Sequence, residues 1–177
     1  MSKYAVIVAA LALALTSAPA FAQLFPAGTA LPPPGTALPP PGTALPPPGT
    51  EEAAVLAPIS AVFAAFAAGD AQAMMEHVFP DGRVSAPGKG ENGSVRQQSW
   101  TQFAQQIKPG SEFQESISDP AIEIDGDIAM VWARFVVRSQ GHVVNCGFDH
   151  FDLVRENGKW RIMNLTFSSN LTSCAAH

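Results

Sequence analysis

The chain has 177 residues, a formal net charge of −5 and only ten basic residues, which are scattered along it. Nucleic-acid binding requires a clustered cationic face, so the sequence predicts no nucleic-acid partner. Four histidines without ligand spacing, and no glycine-rich phosphate loop or nucleophile motif, lead us to predict no metal site and no cofactor.

Residues Met1 to Ala22 have the pattern of a secretory signal peptide. Lys3 supplies a positive start, Ala5 to Leu15 is an apolar run, and Ala20 to Ala22 is a small-x-small cleavage site. The run is shorter than the ~20 apolar residues that span a bilayer. We therefore expect a cleaved, periplasmic or secreted protein with no membrane attachment after cleavage; the alternative is an uncleaved anchor.

The segment 23–50 is a proline-rich linker. The heptapeptide GTALPPP occurs three times in tandem from Gly28 to Pro48. Triple proline removes amide donors and favours the extended polyproline II conformation. We interpret the segment as a semi-rigid spacer, with a docking segment for a cell-envelope partner as the alternative.

The folded domain is predicted at 51–177, and it begins with a helix. Apolar residues recur at helical spacing, Thr50 can cap the helix and Gly69 can end it. Pro58 either kinks this helix or marks its true start.

Two shorter helices are predicted next. Asp70 can cap a second helix that runs through His77 and stops before Pro80. Ser99 and Gln102 form a capping box at the start of a third helix.

Four long runs rich in branched and aromatic residues then predict β-strands. They are separated by Asp125-Gly126, Gln140-Gly141 and Asn157-Gly158. Asp-Gly and Asn-Gly favour tight hairpin turns, since both central residues need positive φ. The order predicts an α+β fold, with three N-terminal helices on a mainly antiparallel sheet of four to six strands.

Two-residue turns would also set the register of these strands. They place Trp132, Asp149 and Thr166 in one row on one face, with Arg134 and Asn164 diagonal to Asp149. We predict that these five residues line a ligand pocket. The other face, which carries His150 and Asp152, is also largely apolar, so we expect it to form a homodimer interface; a solvated rim is the alternative.

Cys146 and Cys174 both lie in the part expected to be exported. An oxidising compartment permits a disulfide between them. Two free, partly buried thiols are the alternative that the sequence leaves open.

The pattern CGFDHFDLVRENGKWRIMNLTF, from Cys146 to Phe167, resembles the SnoaL-like branch of the nuclear transport factor 2-like superfamily. The resemblance covers most of 51–169. It implies a conical α+β barrel, a curved sheet wrapped around a long helix, a pocket at one end, and dimers formed through the outer sheet face. Because this fold hosts enzymes and binding domains alike, function must be argued from the site.

The resemblance extends in part to the ketosteroid isomerases. Asp149 looks like their acid, which donates a hydrogen bond to the developing oxyanion and can stay protonated in an apolar pocket. The family's tyrosine and base have no counterpart, since the only tyrosine is Tyr4 and Ala86 stands at the base position. Asp81 and His77 are weak alternative bases. Each is interpreted more readily as structural, Asp81 as a turn residue.

These observations support three hypotheses. The first is an exported domain that binds a small apolar, carbonyl-bearing or anionic molecule, with Arg134 either anchoring that ligand or forming a structural ion pair with Asp149. The second is a cofactor-free isomerase, dehydratase or cyclase with Asp149 as acid. The third is a structural envelope module.

Overall fold

The computed structural model of the protein describes residues 45–110, 113–171 and 174. The predicted signal peptide, and the proline-rich linker as far as Ala44, lie outside the described residues. The described residues therefore begin within the last proline repeat and cover the domain that follows it.

Helix α1 spans Glu51–Ala68, with the ends that the sequence predicts. The Thr50 side chain accepts a hydrogen bond from the backbone N–H of Ala53. Gly69 adopts the left-handed conformation (φ 68°) and its N–H donates to the last turn. Pro58 is buried inside the helix, so the alternative that it marks the helix start is wrong. The apolar face of α1 is buried against the sheet.

Helix α2 covers Ala71–Met75, with the Asp70 side chain accepting from the N–H of Ala73. It is shorter than predicted because the following residues pair with the sheet. The Ile162 N–H donates to the His77 carbonyl, and the Phe79 N–H donates to the Ile162 carbonyl. Helix α3, Trp100–Ala104, has the predicted capping box, in which Ser99 and Gln102 bond each other's backbone N–H groups.

Six strands form one mixed sheet in the order β2-β1-β6-β5-β4-β3. Their bounds are β1 Arg83–Ala86, β2 Arg96–Ser99, β3 Phe113–Asp125, β4 Ile128–Ser139, β5 His142–Glu156 and β6 Lys159–Phe167. Among the strands of the described residues, only β1 and β6 pair in parallel. The predicted α+β class is confirmed. Within the described residues β2 and β3 remain as edges, so the sheet is open rather than a closed barrel.

The predicted strand register is wrong on both sides of β5, although two of the three turns are placed correctly. Ser139 faces His142, but an extra residue at Val144 shifts the ladder, and Trp132 then faces His150. A second extra residue, Met163, makes Thr166 face His150 as well. Each β-bulge moves one partner strand by a residue and so exchanges its faces relative to β5. The first turn is also displaced by one residue, to Gly126-Asp127.

As a result Asp149 lies in a row with Ala133 and Phe167. This inner face packs on the helices, where the ring of Phe63 from α1 lies 6.2 Å from that of Phe151 in edge-to-face geometry. The outer face carries Trp132, His150 and Thr166 in the neighbouring row.

Cys146 and Cys174 form a disulfide, which is one of the two alternatives left open by the sequence. Cys146 is buried, and its backbone pairs with Asn170. The segment after β6 is thus fastened to the start of β5.

Candidate functional site

A cavity of about 410 Å³ opens between the helices and the inner face of the sheet. Five phenylalanines from different parts of the domain give it an apolar wall, and Lys89, Arg96, Glu115 and Asn145 supply polar groups. The phenylalanines are Phe66 (α1), Phe103 (α3), Phe113 (β3), Phe135 (β4) and Phe167 (β6). This volume and this mixture, a mostly apolar wall with few polar groups, are typical of small-molecule sites.

Glu115 places a carboxyl group in that wall. It lies on β3 opposite Val137, and its neighbours on the same side of the strand are Phe113 and Ile117. Burial raises the pKa of Glu115 to about 8, because an apolar environment disfavours the charged form. No hydrogen-bond partner of its side chain lies within the described residues.

The sequence analysis missed Glu115, although a signal was present. In the run Phe113-Gln114-Glu115-Ser116-Ile117, strand alternation puts the glutamate on the same face of the strand as two apolar residues. An acid at an apolar position of a strand indicates either an ion pair or a functional group.

Asp149 is a second carboxyl group on the same face and is only 1% exposed. Its cross-strand neighbour Phe167 lines the cavity. Burial, and to a smaller extent the charge of Glu115, raise the pKa of Asp149 well above its ordinary value. Its Oδ2 has no hydrogen-bond partner among the described residues.

Burial thus favours the protonated form of both carboxyls. A protonated carboxyl can donate through its O–H and accept through its carbonyl oxygen. Lys89 and Arg96 are then the charged groups of the cavity wall. This arrangement can bind an apolar ring and fix its polar groups.

The predicted set of five ligand-binding residues does not form one site. Only Asp149 lies on the inner face, whereas Trp132, Arg134, Asn164 and Thr166 lie on the outer face because of the two bulges. Trp132 is 47% exposed and stacks on Phe148, with ring centroids 5.3 Å apart. Arg134 lies over the same Phe148 ring, on the face opposite to Asp149.

Neither alternative base lies in the cavity wall. Asp81 is exposed and lines a separate polar depression with Arg83 and Gln102. His77 is half-buried after α2, and its carbonyl accepts from the backbone of Ile162. The carboxyl that lies beside Asp149 is Glu115 instead.

A second hollow, a groove of about 790 Å³, runs between α1 and the edge strand β3. The last proline repeat, through Leu45, Pro46 and Pro48, forms part of its wall, and Glu115 lies between the groove and the cavity. In residues 45–110, 113–171 and 174, no three His, Cys, Asp or Glu side chains cluster as metal ligands.

The fold and this cavity define the class of protein. Solved structures with the same fold include an NTF2-like protein of unknown function from Shewanella baltica, 17% identical, with 69% of this chain and 95% of that chain covered and a TM-score of 0.55. An NTF2-like protein from Cytophaga hutchinsonii is 13% identical, with coverages of 68% and 99% and a TM-score of 0.57. One from Silicibacter pomeroyi is 20% identical, with coverages of 67% and 94% and a TM-score of 0.52.

The chain therefore has an NTF2-like fold. Residues 50–168 match the profile of the family described as "Putative lumazine-binding", and the chain belongs to that family. No curated protein matches the chain.

Proposed function

We propose that the domain binds a small molecule with an apolar ring system in the phenylalanine-lined cavity. The single observation that carries this proposal is a 410 Å³ cavity that combines five phenylalanines with a carboxyl lacking a partner among the described residues. Proteins pack closely and hydrogen-bond their buried polar groups, so a structural role alone gives no reason for a cavity of this size or for a partly buried carboxyl without a partner.

The family name suggests the ligand class to test first. Lumazine is a planar bicycle with adjacent N–H and carbonyl groups, and a protonated carboxyl such as Glu115 can both donate to and accept from such an edge. Flat rings also stack well on phenylalanine.

The test is equilibrium binding of two fluorescent probes, lumazine and the neutral N-phenyl-1-naphthylamine. Phe167→Ala removes a cavity ring, and Phe148→Ala removes a ring from the outer face of the neighbouring strand. We expect saturable one-to-one binding that Phe167→Ala weakens about tenfold, the equivalent of one aromatic contact. Phe148→Ala should change the affinity for the probes less than about twofold. Absence of saturable binding for both probes, or a larger loss in Phe148→Ala, would contradict the proposal.

We also propose that the chain is exported and forms a homodimer through the outer face. The sequence pattern of 1–22 supports export and the SnoaL-like motif supports that branch of the fold. The outer face exposes Ile128, Met130 and Trp132 beside the Trp132–Phe148 stack, an apolar surface that a second copy would cover.

Light scattering at micromolar concentration tests the dimer. We expect two chains per particle in the wild type and one in Trp132→Glu, because the new carboxylate would have to be desolvated in the interface. Gln72→Glu adds the same charge at an exposed site of α2 and should stay dimeric. A monomeric wild type would refute the dimer.

A further inference from the structure

Lys89 and Arg96 are two cations in the wall of a mostly apolar cavity. Both project from the arm formed by β1, β2 and their connection, which is held together around Ala86. Arg96 pairs with Ala86 in the β1–β2 ladder, and the Lys89 N–H donates to the Ala86 carbonyl. The two side chains are therefore anchored on one element.

Neither cation is used by the described fold. Within residues 45–110, 113–171 and 174, no ion pair or side-chain hydrogen bond involves either of them. Arg155 and Arg161, by contrast, each lie against an aromatic ring and form ion pairs with acidic side chains. The arm thus brings two exposed positive charges to the cavity without a structural reason.

We propose that the cavity selects an apolar ring system that carries one anionic group, such as a carboxylate, sulfonate or phosphate, with the ring against the phenylalanines and the anion between Lys89 and Arg96. This inference rests on the proposed function and narrows it to a chemical class. Arginine and lysine at the rim of an apolar site are suited to that role, since the ring is desolvated while the charged groups stay near water.

Glu115 makes the selection depend on pH. Protonated, it adds no charge to the cavity; ionised, it repels the anion and attracts the two cations. Its pKa near 8 puts this change just above neutrality, so the affinity for an anion falls as pH rises through that value. The charged or titratable groups that share the cavity, the groove or an electrostatic interaction with Glu115 are Lys89 and Arg96 from the arm, Asp149 from β5 and Arg138 from β4 on the groove side.

The test compares two probes that differ by one sulfonate, 8-anilinonaphthalene-1-sulfonate and N-phenyl-1-naphthylamine, on the whole protein. We expect Lys89→Ala/Arg96→Ala to weaken binding of the sulfonate about tenfold, since two exposed ion pairs are lost. Binding of the neutral probe should change less than about twofold. Lys159→Ala, which removes an exposed cation at the β5–β6 turn, is the matched control and should leave both affinities unchanged.

Between pH 7 and 9, affinity of the wild type for the sulfonate should fall while that for the neutral probe stays constant, and Glu115→Gln should remove the fall. Equal effects of the double substitution on both probes, no effect on either, or an undiminished pH response in Glu115→Gln would overturn the inference. A wild type that binds neither probe would instead contradict the proposed function itself.

Discussion

The two faces of strand β5 carry similar residue types in opposite environments. On the inner face Asp149 is 1% exposed, and burial holds its pKa well above the ordinary value. On the outer face Asp152 is half-buried, 3.7 Å from His150, and accepts a hydrogen bond from Asn164. The difference shows that location on the sheet, rather than residue type, decides which carboxyl of this strand belongs to a site.

The same contrast holds for the aromatic residues. Phe151 is fully buried against α1, whereas Trp132 stacks on Phe148 at an open surface. The inner face therefore contributes to folding and to the cavity, and the outer face is the surface that we propose for association.

The largest difference in the free energy of unfolding is expected when one aromatic residue on each face is truncated to alanine. We expect Phe151→Ala to lower the free energy of unfolding by about 3–5 kcal/mol, because it leaves a cavity in the core. Trp132→Ala should cost about 1 kcal/mol or less in the monomer. Urea denaturation, at the dilution where light scattering finds single chains, measures both. Equal losses would show that the outer face is as tightly packed as the inner one.

The next largest difference is expected in the pH dependence of stability, which should differ between the inner-face and outer-face carboxyls. A carboxyl whose pKa is raised in the folded state destabilises the fold as pH rises, because the unfolded chain releases that proton first. Stability should therefore fall from about pH 4.5 to about pH 8 for Glu115, by at most about 1.4 kcal/mol per pH unit.

Glu115→Gln and Asp149→Asn should each flatten that fall, and Asp152→Asn, on the outer face of the same strand, should not. Thermal unfolding from pH 4 to 9 gives the comparison. A slope that survives both inner-face substitutions would mean that these groups are ionised in the folded protein.

The smallest effect is expected for the outer His150–Asp152 pair. Exposed pairs of this kind contribute about 0.2–1 kcal/mol, so His150→Gln should change the free energy of unfolding by less than about 1 kcal/mol. Urea denaturation of the wild type and of His150→Gln under the same conditions measures the difference. A loss of several kcal/mol would show that the pair is buried, as in a tight interface.

Much of the fold follows from local signals in the sequence. The caps at Thr50, Asp70 and Ser99 and the α+β order are readable because each depends on residues a few positions apart. Strand alternation along β5 likewise puts Asp149, Phe151 and Leu153 on one face, where the structure has them.

The cross-strand neighbours of these β5 residues could not be predicted, because turn chemistry fixes the strand register only up to the first bulge. Val144 and Met163 are apolar residues within apolar runs, and nothing local marks them as extra residues in the ladder. The prediction therefore brought Trp132 and Arg134 to Asp149, where the structure has Ala133 and, from β3, Glu115.

Whether Glu115 is a neutral acid at neutral pH is the central claim. A carbon-13 NMR titration of side-chain carboxyl groups, with the Glu115 signal assigned by its loss in Glu115→Gln, measures it directly. We predict a midpoint near pH 8 for Glu115 and a midpoint well above the ordinary value for Asp149. A Glu115 midpoint near 4.5, its ordinary value, would contradict the account of the cavity.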